Sequence, residues 1–378
     1  MGDLWDWPQP DSIRIPIAQP WITELEIGYC NSALKDNWIG SNGPFNSKAE
    51  AFLSAYFNQP TLTVSNGSVA LMLALRALGV GANDEVLVPN LTYAATASSV
   101  SNVGAIPVLC DVEGQDWGIS VNSMSRMLSK KTKAIIVVHL YGVPANIESI
   151  IDFAKKHKLF VIEDCAESFG ALVKGKKVGT FGDAATFSFF ANKLITSGEG
   201  GAVSSSNHKV YDMMKLLRGQ GMDPHRRYYF IETGYNFRMT NPQAALLLGQ
   251  LERLPEITVQ RQEVESHYQS LLGEYAIGPT PGSTSASAPW IFTTAFPLLD
   301  VGKRMKLAEQ LAQNGIETRP VFWALSDMPA FKNLKRDRTP TTKVISSSGI
   351  SLPTGIHVTH QDRVEIAATI TDFLRGLV

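Results

Sequence analysis

The chain has 378 residues, 44% of them hydrophobic and 18% charged, with a formal net charge of −1 at pH 7. That length buries a sizeable core spread over two domains, and interspersed charge of both signs leaves no basic footprint for nucleic acid and no polybasic patch for a membrane. No run of about 18 apolar residues occurs, the start lacks the features of a signal peptide, and Cys30, Cys110 and Cys165 fit no metal-ligand spacing, so a reduced cytoplasmic protein without a metal site is expected.

From about residue 60, short β-rich runs alternate with helical patterns. Residues 61–65 read as a strand and 68–78 as a strong helix, ended by Gly79 and Gly81. Strands follow at 85–89, 106–112, 133–140 and 159–164, separated by helices over about 94–103, 121–128 and 147–158. Runs at 184–190 and 202–205 complete the set. This alternation predicts crossover units, hence an α/β fold with a mostly parallel central sheet covered on both faces. Ligands bind such sheets at the carboxyl ends of the strands.

The pattern changes near Arg253-Leu254-Pro255. A polar helix, a Gly/Pro/Ser-rich loop over 278–287, a run at 290–297, a helix over about 302–314 and a strand at 317–321 predict a smaller α+β domain. The expected units are 1–252, with an N-terminal arm, and 253–378.

The residue with most chemical content is Lys193, placed where the apolar run Ala184–Phe190 gives way to Gly198-Glu199-Gly200-Gly201. A lysine amine held partly desolvated at a strand exit has its charged form disfavoured and becomes a nucleophile able to form a Schiff base. Residues 159–162 lead into Glu163-Asp164, whose side chains alternate so that one enters the site. Asp164 could anchor a protonated ring nitrogen or cap the next helix. Ser65-Asn66-Gly67-Ser68 precedes a helix and could hold a phosphate or serve as an ordinary N-cap. It matches neither a Walker A loop nor a dinucleotide fingerprint. Tyr93, after Pro89-Asn90-Leu91-Thr92, could stack on a flat ring or pack on the sheet, and Ser188 could reach a phosphate at its strand's exit. Gly234–Met239 is a donor-rich loop, and Arg319-Pro320 begins a turn. Together a lysine nucleophile, a carboxylate, phosphate donors and a stacking aromatic are what pyridoxal phosphate requires.

At this point the sequence resembles the DegT/DnrJ/EryC1/StrS family of pyridoxal-phosphate-dependent sugar aminotransferases, from about Ile15 to the C-terminus. The motifs that carry the resemblance are Ser-Asn-Gly-Ser at 65, Pro-Asn-Leu-Thr-Tyr at 89 and Val-His-Leu-Tyr-Gly at 138. Glu-Asp-Cys-Ala-Glu-Ser-Phe-Gly at 163, Phe-Ser-Phe-Phe-Ala-Asn-Lys at 187, Gly-Glu-Gly-Gly at 198 and Gly-Tyr-Asn-Phe-Arg-Met-Thr-Asn at 234 complete them. Residues 217–224 and 318–322 look most like the perosamine synthase branch. The resemblance implies the aspartate-aminotransferase-like (type I) fold and a ping-pong transamination in which Lys193 bonds the cofactor as a Schiff base. It implies that Asp164 holds the pyridine nitrogen, that Glu167 lies near the ring hydroxyl, and that Gly67, Ser68 and Ser188 take the phosphate. Tyr93 would stack on the ring, and Asn236 would reach the neighbouring subunit's phosphate, making a homodimer with shared active sites. His139, Arg319 and Trp323 are weaker candidates for substrate contact.

L-Glutamate is the implied donor and a keto-sugar, GDP-4-keto-6-deoxymannose-like, the implied acceptor, for surface-polysaccharide or lipopolysaccharide synthesis. Trp323-Ala324-Leu325-Ser326-Asp327 lacks histidines frequent in that branch, which keeps open a free keto-sugar acid such as 8-keto-Kdo. A 3-dehydratase of this fold would carry histidine at position 193, and a non-catalytic homologue would not retain the whole cofactor kit. Ser68 stands where threonine is common, keeping the hydroxyl, and Cys165 where alanine is usual. Trp5, Trp7 and Trp21 are read as packing in preference to substrate contacts.

Overall fold

In the computed structural model, which describes residues 7–377, seven strands form the central sheet. They are β1 (Thr61–Val64), β2 (Glu85–Pro89), β3 (Ile106–Cys110), β4 (Thr132–Val138), β5 (Phe160–Asp164), β6 (Ala184–Ser188) and β7 (Gly201–Ser204). Their spatial order is β1-β7-β6-β5-β4-β2-β3. The strands from β2 to β6 pair in parallel, and β7 runs antiparallel to both of its neighbours.

Both faces of this sheet are covered. Along β4, Ile135 and Val137 join one core cluster, whereas Ala134, Ile136 and Val138 join the other. Each alternate residue finds an apolar partner, which is why these strands read as unbroken hydrophobic runs. Fully burying one such side chain contributes about 1.5–3 kcal/mol, before the ordering entropy that opposes it.

Strand ends depart from the sequence expectation where the chain turns away. β4 stops at Val138: His139 N still donates to the Asp164 carbonyl (3.1 Å), and the chain then turns through Leu140–Gly142, with Tyr141 and Gly142 in left-handed backbone. β6 stops at Ser188, not Phe190, and Lys193 lies in the turn beyond it, its N–H donating to the Phe190 carbonyl (3.0 Å).

Two helices precede the first strand: α1 (Glu24–Lys35), opened by a Thr23/Glu26 capping box, and α2 (Pro44–Phe57), with proline at its start. The alternation expected from residue 60 onward does not include them. α3 (Gly67–Ala77) and α4 (Ala95–Asn102) follow β1 and β2 and bring their N-termini to the carboxyl edge of the sheet.

The composition change near 253 coincides with the junction of helices Asn241–Glu252 and Leu254–Leu272. Beyond it, strands Thr293–Ala295, Gly349–Ser351 and Arg319–Pro320 form a small antiparallel sheet. Its core includes Tyr268, Phe296, Leu307, Ile350 and Ile366, and also Ile15. The N-terminal arm, expected to go with the larger unit, therefore seats Ile15 in the smaller one, where its N–H meets the Gly315 carbonyl (3.0 Å). The 278–287 segment is not all loop: Ser285–Ala286 pairs with Leu172–Val173 of the larger unit. Among the described residues no helix is long and apolar enough to cross a membrane.

Candidate active site

The carboxyl ends of β4, β5 and β6 and the start of α3 converge on one site. β5 delivers Glu163 and Asp164 to opposite faces, as strand alternation requires. Glu163 is wholly buried. Its Oε1 accepts from the N–H groups of Phe181 and Gly182 (2.7 Å each), and its Oε2 from Gly179 N (2.7 Å) and His139 Nε2 (3.1 Å). Burial alone would raise its pKa, but His139 and the backbone donors bring it below the ordinary glutamate value.

Asp164 turns the other way. Its Oδ2 accepts from Thr96 Oγ1 and its Oδ1 from Ala166 N, both at 3.2 Å. Thr96 Oγ1 lies 3.1 Å from Thr92 Oγ1, so α4 and the loop before it place a short hydroxyl chain behind the carboxylate. Burial raises the Asp164 pKa, and among the described residues no cation pairs with it directly.

The Lys193 side chain is 13% exposed, with Nζ 3.8 Å from Glu167 Oε1 and 3.9 Å from the centroid of the Trp290 ring. Burial lowers its pKa, against the opposing pull of Glu167 and Asp164. Burial likewise raises Glu167, to about 7, despite the nearby lysine. Glu167 is held by Tyr141 N, which donates to Oε2 at 3.0 Å. A buried lysine and a buried carboxyl, each biased by burial toward its uncharged form, make a pair able to exchange a proton.

At the other end of the site, Asn66 Oδ1 caps α3 by accepting from Val69 N (3.0 Å). The N–H groups of Gly67 and Ser68, in the first turn, have no partner within the helix, and the helix dipole makes this an anion site. A Cβ on Gly67 would stand 3.0 Å from Ser188 Cβ, so the glycine keeps a gap between the helix start and the Ser188 hydroxyl. Tyr93 presents a 61% exposed ring at the rim. It begins a file of aromatics that runs through Phe322 (5.8 Å), Tyr141 (5.2 Å) and Trp290 (5.7 Å) to the lysine.

The donor set fits a flat, phosphorylated ligand with a basic ring nitrogen. The α3 N–H groups and the Ser188 hydroxyl suit its phosphate. The unpaired buried Asp164 suits a protonated nitrogen, because a cation there relieves the cost of its own ionisation. The Lys193 amine suits a carbonyl carbon.

The remaining predicted residues lie outside this cluster. His139, expected toward the substrate, is fully buried beneath the site. Its Nδ1 accepts from Ala145 N (3.1 Å), which makes Nε2 the donor to Glu163 and leaves neither nitrogen for a substrate. Asn236 is exposed on its loop, in a bridge with Gly219. Arg319 is exposed, ion-paired with Glu317 and bonded to Gln9 Oε1 (3.2 Å). Trp323 is half-buried with the Arg304 guanidinium 4.6 Å from its ring centroid. Trp7 and Trp21 pack, against Arg304 and Arg253 respectively, and Trp5 lies outside the described residues. Sequence reasoning missed Thr96, Tyr141 and Trp290. Tyr141 left a trace in the tyrosine–glycine pair at 141–142, both in left-handed backbone (φ 48° and 85°).

Comparison with known proteins gives the family. Residues 20–371 match the model of the DegT/DnrJ/EryC1/StrS aminotransferase family. A GDP-perosamine synthase from Escherichia coli O157:H7 is 39% identical over 360 residues, covering 95% of this chain and 98% of that protein. One from Caulobacter vibrioides is 39% identical over 368 residues, covering 96% and 99%. Among solved structures, the PLP-form of Spr1654 from Streptococcus pneumoniae, described as a candidate sugar aminotransferase, superposes with a TM-score of 0.91 at 26% identity, covering 96% of this chain and 99% of that one.

Proposed function

The chain belongs to the DegT/DnrJ/EryC1/StrS aminotransferase family and is a pyridoxal-phosphate-dependent sugar aminotransferase, and we propose that it moves the amino group of L-glutamate to a nucleotide-linked 4-keto sugar of the GDP-4-keto-6-deoxymannose kind. The observation that carries the acceptor is the likeness to GDP-perosamine synthases over nearly the whole chain. Synthesis of a surface-glycan precursor in the cytoplasm is the setting this implies.

Pyridoxal phosphate, when bound, supplies an electron sink for the carbon that loses its proton. Asp164 would hold the ring nitrogen protonated, its carboxylate steadied by Thr96 and the Ala166 N–H. Gly67, Ser68 and Ser188 would hold the phosphate, and Tyr93 would cover the ring. Lys193 would take the proton from the donor's Cα, a positioned general base worth roughly 10²–10⁴-fold. Glu167, beside Nζ, would stabilise the amine while it carries that proton. The burial of both groups excludes water from the transfer.

A homodimer completes the proposal. Asn236 would reach the phosphate in the partner's site, and the exposed neighbours Tyr228, Tyr229, Phe230 and Ile231, from 48% to 75% accessible, would be covered by the second copy.

The test is a panel of keto-sugars assayed with L-glutamate on the cofactor-loaded protein. Amination of the GDP-linked 4-keto sugar is expected, and its loss in Lys193→Ala. Amination of a free keto-sugar acid alone would overturn the acceptor. Turnover by Lys193→Ala would overturn the site.

A further inference from the structure

We propose that Trp290 is the positioning residue for the Lys193 amine: one side chain caps Nζ with its ring and holds the loop that carries the lysine. The inference rests on the proposed role of Lys193.

The ring centroid is 3.9 Å from Nζ, and the indole Nε1–H donates to the Asn192 carbonyl at 2.8 Å, the residue immediately before the lysine. Lys193 is thus fixed both at its backbone and at its tip by the same group. Trp290 is itself held from three directions and is only 6% exposed. Tyr141 stacks on it at 5.7 Å and 18°. Buried Arg261 donates from Nη1 to the Trp290 carbonyl (3.2 Å) and to that of Thr354 (2.6 Å). Two residues earlier, Ala288 N donates to the Gly142 carbonyl (2.9 Å).

Plain packing would account for a buried tryptophan, but not for an indole directed at both the lysine's turn and its amine. An aromatic face attracts an ammonium more than a neutral amine, most strongly where water is excluded. The ring therefore favours Lys193 in the state that has accepted a proton, and does so from a fixed direction. The charged groups facing the amine are Glu167 and Asp164, with Arg261 lining the adjoining cavity. Glu167 accepts from the backbone N–H of Tyr141, whose ring stacks on Trp290, so the Leu140–Gly142 turn adjoins both groups.

Two variants test this. Trp290→Leu keeps an apolar cover without the ring face, and Trp290→Phe keeps a face without the N–H donor. In the cofactor-free protein, Lys193 is labelled with an acylating reagent across pH and the site is read by peptide mass spectrometry. The labelling midpoint falls by about one pH unit in Trp290→Leu and stays near wild type in Trp290→Phe. In the pyridoxal-phosphate-loaded protein, kcat falls roughly 10–100-fold in Trp290→Leu while the acceptor KM moves little, and Trp290→Phe recovers part of the loss. A folded Trp290→Leu with an unmoved midpoint overturns the proposal, as does a Trp290→Phe that behaves like Trp290→Leu. If the functional reading fails instead, the loaded wild type shows no lysine-bound cofactor absorbance, and the labelling midpoints still decide the role of Trp290.

Discussion

Glu163 and Asp164 are adjacent in the chain and divide the work of one strand end between two faces. The Glu163 carboxylate accepts four hydrogen bonds from inside the protein, and the Asp164 carboxylate accepts two and keeps its remaining capacity for the site. Position along β5 separates a carboxylate bonded within the protein from one turned toward the site.

Glu163→Gln should therefore damage stability first. An amide cannot accept from all four donors and adds donors of its own, which costs roughly 1–3 kcal/mol in a buried site. The folded pKa of Glu163 lies below its unfolded value of 4.5, so its contribution is present above that pH and is lost as pH falls through the folded value. Denaturant titrations between pH 3 and 7 should show a shallower acid limb in the variant. A wild-type midpoint at neutral pH would refute the assignment.

Asp164→Asn should behave in the opposite manner. The fold should survive, because the buried carboxyl is itself costly to ionise. Turnover should fall roughly 10²–10³-fold, as when one fixed electrostatic partner of a reaction is deleted. Steady-state kinetics beside a thermal melt separate the two effects. An unchanged kcat would remove Asp164 from the chemistry.

Glu167 makes a prediction about pH. Its folded pKa, raised to about 7 from an ordinary 4.5, means that it favours the folded state below 4.5 and loses that advantage as pH climbs to about 7. Glu167→Gln in the cofactor-free protein should flatten this decline, with a higher Tm than wild type at pH 7.5. Parallel Tm curves for the two proteins would show that the carboxyl is not titrating in that window.

Gly142→Ala probes the scaffold beneath the site. Gly142 has φ 85°, and a Cβ there would stand 2.0 Å from the Ala288 carbonyl oxygen. The strained backbone and the displaced 288–290 segment should cost at least about 1–3 kcal/mol and loosen Trp290. The unfolding midpoint and the Lys193 labelling profile should move together. A stable variant with an unaltered profile would dissociate the turn from the lysine.

The larger unit was legible because each β-run there is buried on both faces and each helix carries its own punctuation. Glu85–Pro89 stands where it was read, and helix 68–78 differs from Gly67–Ala77 by one residue at each end. Drift appears at strand ends, as where the chain after His139 turns through the left-handed Tyr141 and Gly142. His139 itself looked available from its place after a strand, but its burial depends on Glu163, 24 residues away. Trp290 had no local signal at all, since an apolar residue after Ala288-Pro289 reads as the start of a strand. Its partner Asn192 is 98 residues distant. Asn236 stays beyond a single chain, because its proposed partner belongs to another copy.

The N-terminal arm has a consequence for biosynthesis. Arg14 and Ile15 bond to Gly315 and Asn314, and Arg14 also pairs with Asp362 and Glu365, so the arm's binding surface is translated about 300 residues later. At roughly 5–20 residues per second these partners emerge some 15–60 s after the arm. The larger unit can consolidate meanwhile, and these contacts of the arm form only after residues 314–365 have been translated. Fusions or deletions ahead of Ile15 should then impair the final assembly step while leaving the parallel sheet able to form.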